Sequence, residues 1–285
     1  MSWYDANTAG RSMGILYLVA TPIGNLEDIT LRALRVLREA SLIAAEDTRV
    51  ARKLLDHYEI DTPVRSFHEH SPETRLDEIV ASLASGDVAV ISDAGMPGIS
   101  DPGSRLVERA TSGGYGVLPI PGPSSVTAAT AVSGLADEGF VFAGFLPRKD
   151  AEKRERLRAL AEPGLPLVLF ESPNRVRNLI ELMAELFPDA DIVAGREITK
   201  LHEEWLRGRP DDLLDVLTER GEYTFVIQPN LSQDPSAAVD LDALIENALA
   251  EESSLRDAVD RVIAATGVNR REVYKRALEI NRADS

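Results

Sequence analysis

The sequence predicts an α/β protein, built from two α/β domains and followed by a C-terminal helical tail. Apolar runs typical of buried strands alternate with helical periodicity across residues 15–229. At 285 residues, the chain is also longer than a single hydrophobic core usually supports. The polar, turn-rich stretch at 230–240 separates this alternating region from three further helical segments. We therefore expect a flexible leader at 1–13, domains at 14–139 and 140–230, and a linker with a helical tail at 231–285.

The first domain alternates strands with helices in a regular order. Apolar runs predict strands at 15–21, 41–47, 87–93 and 115–122. Helical periodicity predicts helices at 30–40, 49–58, 73–86, 103–114 and 124–134. Single helices between strands imply parallel pairing, and such sheets bind ligands at the carboxyl ends of their strands. The loops after Thr21, Asp47, Asp93 and Ile120 are therefore the candidate binding loops.

The second domain begins at 140–149 and repeats this pattern. Helices are expected at 151–161, 174–186 and 210–221, with strands at 166–172, 191–197 and 222–229. If the two domains face each other, the strand-end stretches "FESPNRV" (170–176) and "REITKLHEE" (196–204) close over the loops of the first domain. The tail is expected to hold amphipathic helices at about 241–250 and 254–265, then a basic helix after Gly267.

The composition excludes several classes of protein and site. Cysteine is absent, which excludes disulfides, thiol nucleophiles and cysteine-ligated metals and fits a cytoplasmic protein. No apolar run approaches 18 residues, so no membrane span is expected. His68 and His70 would share one face of a strand, but a metal would need a third ligand. We therefore expect no metal site and favour a polar cleft lining for this pair.

The net charge of −16 argues against a general polyanion binder, so any nucleic-acid contact requires local basic patches. Residues 148–158 hold six basic and three acidic side chains, and residues 254–282 hold seven and four. These patches either contact RNA or form solvated helix faces, with the tail packed on its own protein. On the first interpretation, the contacts come from Arg148, Lys149, Arg270, Arg271 and Lys275.

The stretch "ISDAGMPGISDPG" (91–103) follows the third predicted strand of the first domain. No Gly-Lys-Ser/Thr sequence follows its glycines, so it is not a P-loop. Its glycines permit close backbone approach to a ligand, and Asp93 and Asp101 repel phosphate. The pattern favours a ligand with cationic or hydroxyl groups and little phosphate. A rigid turn whose aspartates cap backbone amides is the alternative.

Two other strand-end loops carry polar groups. "AAEDTR" (44–49) places Glu46, Asp47 and Arg49 together, which indicates either site chemistry or a salt-bridged helix start. "PIPGPSS" (119–125) places Ser124 and Ser125 where a helix begins. Backbone amides and hydroxyls at that position can bind a carboxylate or another oxygen ligand.

Seven ordered blocks together resemble the ribosomal RNA small-subunit methyltransferase I family of the tetrapyrrole-methylase superfamily. The resemblance covers about residues 16–229, and the tail is also similar. The blocks are "TPIGNLEDIT", "AAEDTR", "SDAGMPGISDPG", "PIPGPSS", "GFLPRK", "FESPNRV" and "REITKLHEE". The resemblance implies S-adenosylmethionine in the cleft between the two α/β domains, and a homodimer. The implied reaction is methylation of a cytidine 2′-hydroxyl in the decoding region of 16S rRNA, within the small ribosomal subunit.

The resemblance also implies which residues bind the cofactor. Met96 stands where the family usually has threonine. The implied cofactor residues are Pro22, Ile23, Asp93, Gly95, Met96, Pro97, Ile99, Ser124, Ser125 and Phe170.

A ribose hydroxyl is a weak nucleophile, so a base within hydrogen-bond reach should assist the transfer. The catalytic candidates are Glu46, Asp47 and Lys200, and the hypothesis is that Glu46 or Asp47 orients or deprotonates the hydroxyl. Arg49 and Lys200 would hold RNA phosphate. Two alternatives stay open: a superfamily enzyme acting on a tetrapyrrole or a protein residue, and a non-catalytic ribosome-binding protein of this fold.

Overall fold

The computed structural model describes residues 13–101, 103–230, 241–251, 254–266 and 270–283. The chain divides into two compact units, Met1–Asn230 and Leu231–Ser285. The predicted α/β class and the C-terminal helices are confirmed. Nearly all of the expected leader, and the stretch at 231–240, lie outside the described residues.

The first unit begins with a five-stranded parallel sheet in the order β3-β2-β4-β1-β5. Its strands are β1 (Ile15–Val19), β2 (Leu42–Ala45), β3 (Val64–Ser66), β4 (Val88–Ile91) and β5 (Gly116–Ile120). The helices that follow them are α1 (Leu31–Glu39), α2 (Thr48–His57), α3 (Glu73–Ala81), α4 (Gly103–Ser112) and α5 (Ser125–Ser133). Short 3-10 turns occupy Leu26–Asp28 and Ser82–Ala84.

The apolar patterns explain why these segments pack as they do. Every residue of β2 and β4 is buried, as expected for inner strands of a parallel sheet covered on both faces. Leu37 of α1 and Leu55 of α2 pack on one face, while Ile79 of α3 packs on the other. The first helix begins where predicted, because the Thr30 hydroxyl accepts a hydrogen bond from the Ala33 amide at 3.1 Å.

The second sheet is mixed and has the order β6-β7-β10-β8-β9. Only β6 and β7 pair in parallel, while β10 is antiparallel to β7 and β8, and β9 to β8. Its strands are β6 (Val141–Phe145), β7 (Leu167–Glu171), β8 (Asp191–Arg196), β9 (Glu204–Gly208) and β10 (Tyr223–Gln228). Its helices are α6 (Asp150–Ala161), α7 (Val176–Leu186) and α8 (Pro210–Val216).

Different helices cover the two faces of this sheet. Leu157 of α6, Leu179 of α7 and Leu213 of α8 belong to the core on one face. On the other face, Ala129 of α5 packs against Val168 and Val226. The helix that ends the first βα series therefore lies on the second sheet, which ties the two halves of this unit together.

The sequence patterns did not predict three strands, β3, β6 and β9. All three are edge strands, and β3 has only three residues. β3 and β9 lack the continuous apolar run of an inner parallel strand, and the stretch of β6 was interpreted only as the start of the second domain. Trp205 of β9 lies across Gly195 of β8, where a Cβ atom would come within 2.6 Å of the indole ring.

The second unit consists of the helices α9 (Leu241–Glu251), α10 (Leu255–Thr266) and α11 (Arg270–Ala283). Its core contains Ile245 of α9, Val259 of α10 and Val273 of α11, all nearly inaccessible to solvent. Throughout the described residues, no helix combines the length and apolar character that crossing a membrane requires.

Candidate functional site

The first unit contains a cavity of about 520 Å³ at the carboxyl ends of its strands. Loops after β1, β2, β4 and β5 line it from the first sheet. Residues at the ends of β6, β7 and β8 line it from the second, as does the antiparallel β10 at its amino end. Parallel sheets place ligand sites at this edge, and the volume suits a ligand of cofactor size.

The glycine-rich loop forms the cavity wall on the first-sheet side. Gly95 has φ of +79° and exchanges two backbone hydrogen bonds with Thr21, which ties this loop to the one after β1. The Asp101 carboxylate accepts hydrogen bonds from the amides of Gly98 and Gly103 at 2.6 and 2.8 Å. The aspartate thus caps backbone amides of a turn, as the alternative interpretation expected, and the same loop lines the cavity.

The start of α5 also faces the cavity. Ser124 and Ser125 line it, and the Ser124 side chain makes no capping hydrogen bond to the helix. The first-turn amides consequently have no cap from Ser124, and free amides at a helix start favour a carboxylate or another oxygen ligand.

Glu46 lines the cavity next to the glycine-rich loop. One of its carboxylate oxygens accepts a long hydrogen bond, 3.4 Å, from the amide of Asp93. Burial raises the pKa of Glu46 above its usual range, and the nearby carboxylates of Asp93, Asp101 and Asp47 raise it further. The carboxyl group of Glu46 is thus a better proton acceptor than an ordinary surface glutamate.

Asp47 has a different role from its neighbour. Its carboxylate caps α2 by accepting from the Arg49 amide at 2.8 Å, and it pairs with the Arg49 guanidinium at 2.7 Å. The hydrogen bond from the Arg49 side chain lowers the pKa of Asp47 to about 2. Neither residue lines the cavity, so Asp47 and Arg49 form the salt-bridged helix start that the sequence left open.

Lys200 reaches the cavity from the loop after β8. Its ammonium group donates to Glu197 at 3.0 Å and to Glu222 at 2.8 Å. Burial alone would lower the pKa of Lys200, but these two hydrogen bonds raise it above its usual value. Lys200 therefore stays charged and is a poor proton acceptor.

The loop that carries Lys200 has an unusual backbone. Glu197 and Thr199 both adopt positive φ, 51° and 67°, which is uncommon for residues other than glycine. The loop crosses to the first sheet, where Thr199 donates a 2.5 Å hydrogen bond to Asp28. The Lys200 side chain lies against Gly24, where a Cβ atom would come within 2.3 Å of its Cγ. Gly24 in "TPIGN" thus leaves room for the lysine that follows a strand of the second sheet.

The structure places most of the expected cofactor residues at the cavity, while Pro22 and Pro97 are outside its lining. Those that line it are Ile23, Asp93, Gly95, Met96, Ile99, Ser124, Ser125 and Phe170.

Sequence reasoning missed several lining residues from the second sheet. Glu171 is 2% exposed at the end of β7, and its Oε2 atom lies 3.2 Å from Arg175. Phe145, at the end of β6, also lines the cavity. Both lie in motifs that the sequence singled out, "FESPNRV" and "GFLPRK", so the motifs were the available signal. Their direction toward the cavity depends on sheet register, which the sequence did not reveal.

Apart from Arg49, the expected RNA-binding residues lie in two places. Arg148 and Lys149 are exposed just after β6, and Lys149 pairs with Glu152 at 2.8 Å. Lys275 is exposed on α11, whereas the side chains of Arg270 and Arg271 lie outside the described part of the chain. Two basic side chains of α6 make contacts within the protein. Lys153 is buried against Asn178, and Arg154 pairs with Glu185.

The sequence interpretation placed His68 and His70 on one face of a strand, and this interpretation is wrong. β3 ends at Ser66, and His68 and His70 are exposed in the turn that follows. Neither residue lines the cavity.

Comparison with known proteins gives matches over most of the chain. Residues 15–214 match the family model of Tetrapyrrole (Corrin/Porphyrin) Methylases, and residues 235–281 match that of the RsmI C-terminal HTH domain. The ribosomal RNA small subunit methyltransferase I of Halalkalibacterium halodurans is 39% identical over 270 residues, 92% of this chain and 93% of its own. The protein of that name from Thermotoga maritima is 45% identical over 219 residues, 75% of this chain and 98% of its own.

A solved structure shares the fold of the larger unit. Diphthine synthase superposes with a TM-score of 0.61 at 17% identity, covering 75% of this chain and 90% of its own. At that identity the likeness concerns the fold alone.

Proposed function

This chain belongs to the ribosomal RNA small subunit methyltransferase I family of tetrapyrrole methylases, and from that premise we propose that it methylates small-subunit ribosomal RNA. The methyl donor in this proposal is S-adenosylmethionine. The observation that carries the proposal is that the glycine-rich loop, the start of α5 and Glu46 all face the same cavity.

The lining residues fit this cofactor. S-adenosylmethionine has a sulfonium, an ammonium, a carboxylate and ribose hydroxyls, but no phosphate. Asp93 and Asp101 supply carboxylates for the cationic and hydroxyl groups, and the start of α5 supplies amides for the carboxylate. Gly95, at positive φ, leaves its backbone open to close approach. When bound, the cofactor would supply an electrophilic methyl group.

The finer part of the proposal is that the acceptor is the 2′-hydroxyl of a cytidine in the decoding region of 16S rRNA. Among the three catalytic candidates, we assign proton acceptance to Glu46, because burial raises its pKa and it faces the cavity. Lys200 remains an ammonium and is assigned to bind RNA phosphate or ribose oxygen. Asp47 fixes the start of α2 and so holds the adjacent Glu46 in place.

We also propose that the protein acts as a homodimer in the cytoplasm, where small ribosomal subunits occur. Family membership supports both statements. Sedimentation velocity should give roughly twice the 31.1 kDa chain mass, and a single species at the chain mass would argue against the dimer.

Tritiated S-adenosylmethionine tests the proposed function directly. The acceptors are small ribosomal subunits that lack the modification, naked 16S rRNA and a porphyrinoid such as uroporphyrinogen. We expect tritium to be incorporated only into the small subunits, or much faster into them than into naked 16S rRNA or the porphyrinoid. Label in the porphyrinoid would favour a tetrapyrrole methylase. No calorimetric binding of the cofactor at high micromolar concentration would favour a non-catalytic ribosome-binding protein.

A further inference from the structure

A β-bulge in β6 determines the direction of Phe145. The pairing of β6 with β7 shifts register between Phe142 and Gly144, so Gly144 opposes Leu169 and Phe145 opposes Phe170. Leu169 faces the core beneath α6 and α7, whereas Val168, one residue away, faces the opposite side. The bulge therefore turns Phe145 away from that core and onto the same face as Phe170.

The conformation of the bulge is specified by glycine. Gly144 has φ of +62°, and a Cβ atom there would come within 2.7 Å of the Ser100 hydroxyl in the glycine-rich loop. A larger residue would have to strain the backbone and displace the Ser100 hydroxyl. Glycine at position 144 therefore permits the bulge that redirects the side chain of Phe145.

Phe145 remains accessible on the cavity wall. It is 57% exposed, whereas most aromatic side chains of this size are buried in a folded protein. The Phe145 ring lies 5.5 Å from the Phe170 ring, which in turn lies 5.2 Å from Phe142. Ile99, also exposed, lines the same cavity from the first sheet. The exposed apolar side chains of Phe145 and Ile99 therefore both face the cavity.

The segment after Phe145 is held rigidly. The Arg175 guanidinium donates to the carbonyls of Leu146 and Pro147 at 2.9 and 3.1 Å. Arg175 is itself paired with the buried Glu171 at 3.2 Å. These contacts fix the backbone next to the ring, which reduces the entropy lost when a ligand packs against it.

Basic side chains follow the ring directly along the chain. Arg148 and Lys149 are exposed three and four residues after Phe145. An exposed aromatic ring beside cationic side chains is the combination with which proteins bind single-stranded nucleic acid, since bases stack on the ring and phosphates contact the cations.

We propose that Phe145 is the stacking platform for the nucleobase of the target nucleotide. This inference rests on the proposed function and names the surface that holds the base while the ribose faces Glu46. The ring thereby contributes to placement of the 2′-hydroxyl as well as to affinity.

The test compares Phe145→Ala, Phe145→Leu and Phe145→Trp with the wild type, using unmodified small subunits and tritiated S-adenosylmethionine. Phe145→Ala should lower kcat/KM roughly 5- to 150-fold, the range for loss of one base–aromatic stack. Phe145→Leu should lose most of the same activity, because it keeps an apolar side chain without a π face. Phe145→Trp should retain activity close to wild type, and cofactor affinity by calorimetry should stay within about twofold throughout.

Phe140→Ala is the matched control. Phe140 is another exposed phenylalanine, 38% accessible, which immediately precedes β6 and does not line the cavity. Its truncation should leave kcat/KM unchanged. Thermal melts of every variant distinguish a lost contact from a lost fold.

Two results would overturn the inference. Wild-type kcat/KM in folded Phe145→Ala would show that no base stacks there. A drop in cofactor affinity equal to the drop in kcat/KM would show that the ring holds the adenine of S-adenosylmethionine instead. An inactive wild type would refute the proposed function itself, and this inference with it.

Discussion

Glu46 and Asp47 are adjacent in the chain, yet their carboxyl groups have opposite pKa shifts. Glu46 faces the cavity, where burial and neighbouring carboxylates raise its pKa. Asp47 accepts hydrogen bonds from Arg49, which lowers its pKa to about 2. The sequence could identify the pair as candidates. It could not separate them, because the difference arises from the direction each side chain takes at the end of β2.

This difference gives a prediction for the two residues. Glu46→Gln should lower kcat on small subunits by roughly 10²- to 10⁴-fold, the usual contribution of a positioned base. Cofactor affinity should change less than threefold. Asp47→Asn is the matched control, since asparagine also caps helices, and it should keep kcat within about threefold. Equal losses in the two variants would contradict the assignment of the base.

The pH dependence of wild-type activity follows from the same shift. Glu46 must be ionised to accept a proton, so kcat/KM should fall as the pH drops through its pKa. Because that pKa is raised, the acid limb should have its midpoint above 4.5, the ordinary glutamate value. The limb should be absent from the residual activity of Glu46→Gln. A midpoint at or below 4.5 in the wild-type profile would count against Glu46.

At the scale of secondary structure, the bulge in β6 places the second sheet against the glycine-rich loop at the cavity. Gly144→Ala should lower the free energy of unfolding by at least about 1–2 kcal/mol, the cost of left-handed backbone for an L-residue. A clash with Ser100 adds to this cost and should displace the glycine-rich loop. Urea titration and cofactor calorimetry measure the two effects.

Gly164→Ala provides the control for that prediction. Gly164 also has positive φ, 72°, but a Cβ atom there would meet nothing within 4 Å. It should share the backbone cost and leave cofactor affinity intact. If the two alanine variants have the same stability and the same cofactor affinity, contact between the bulge and Ser100 is unimportant.

Elements differed in how well the sequence predicted them. The inner strands β1, β2 and β4 were clear, because burial on both faces requires a continuous apolar run. The edge strands β3, β6 and β9 were not predicted: the half-exposed residues of β3 and β9 show no such run, and Gly144 interrupts the short apolar stretch of β6. Likewise, the position of α5 on the second sheet depends on tertiary packing that local sequence patterns do not encode.

At the scale of the whole molecule, the net charge of −16 constrains how RNA is bound. Free rRNA should bind weakly, because long-range repulsion opposes a polyanion. Assembled small subunits should therefore be methylated at least about tenfold faster than naked 16S rRNA under the same salt conditions. Equal initial rates on the two substrates would contradict this prediction.

The C-terminal unit offers a second whole-molecule test. Lys275 is exposed on α11, whereas its neighbour Arg276 pairs with Asp242 at 3.3 Å. If Lys275 contacts phosphate, Lys275→Glu should reduce the slope of log affinity for small subunits against log salt by about 1. Arg220→Glu, an exposed charge reversal in the larger unit, should leave the slope unchanged. An unaltered slope in Lys275→Glu would assign the basic helix a structural role.

The central claim is that this cavity directs a methyl group to a ribose hydroxyl of small-subunit rRNA. Mass spectrometry of nucleosides from 16S rRNA, after reaction of unmodified subunits with isotopically labelled S-adenosylmethionine, tests it most directly. The account predicts labelled 2′-O-methylcytidine at up to one methyl group per subunit, formed at least about 100-fold more slowly by Glu46→Gln. A label on a base, or no label in 16S rRNA, would contradict the account.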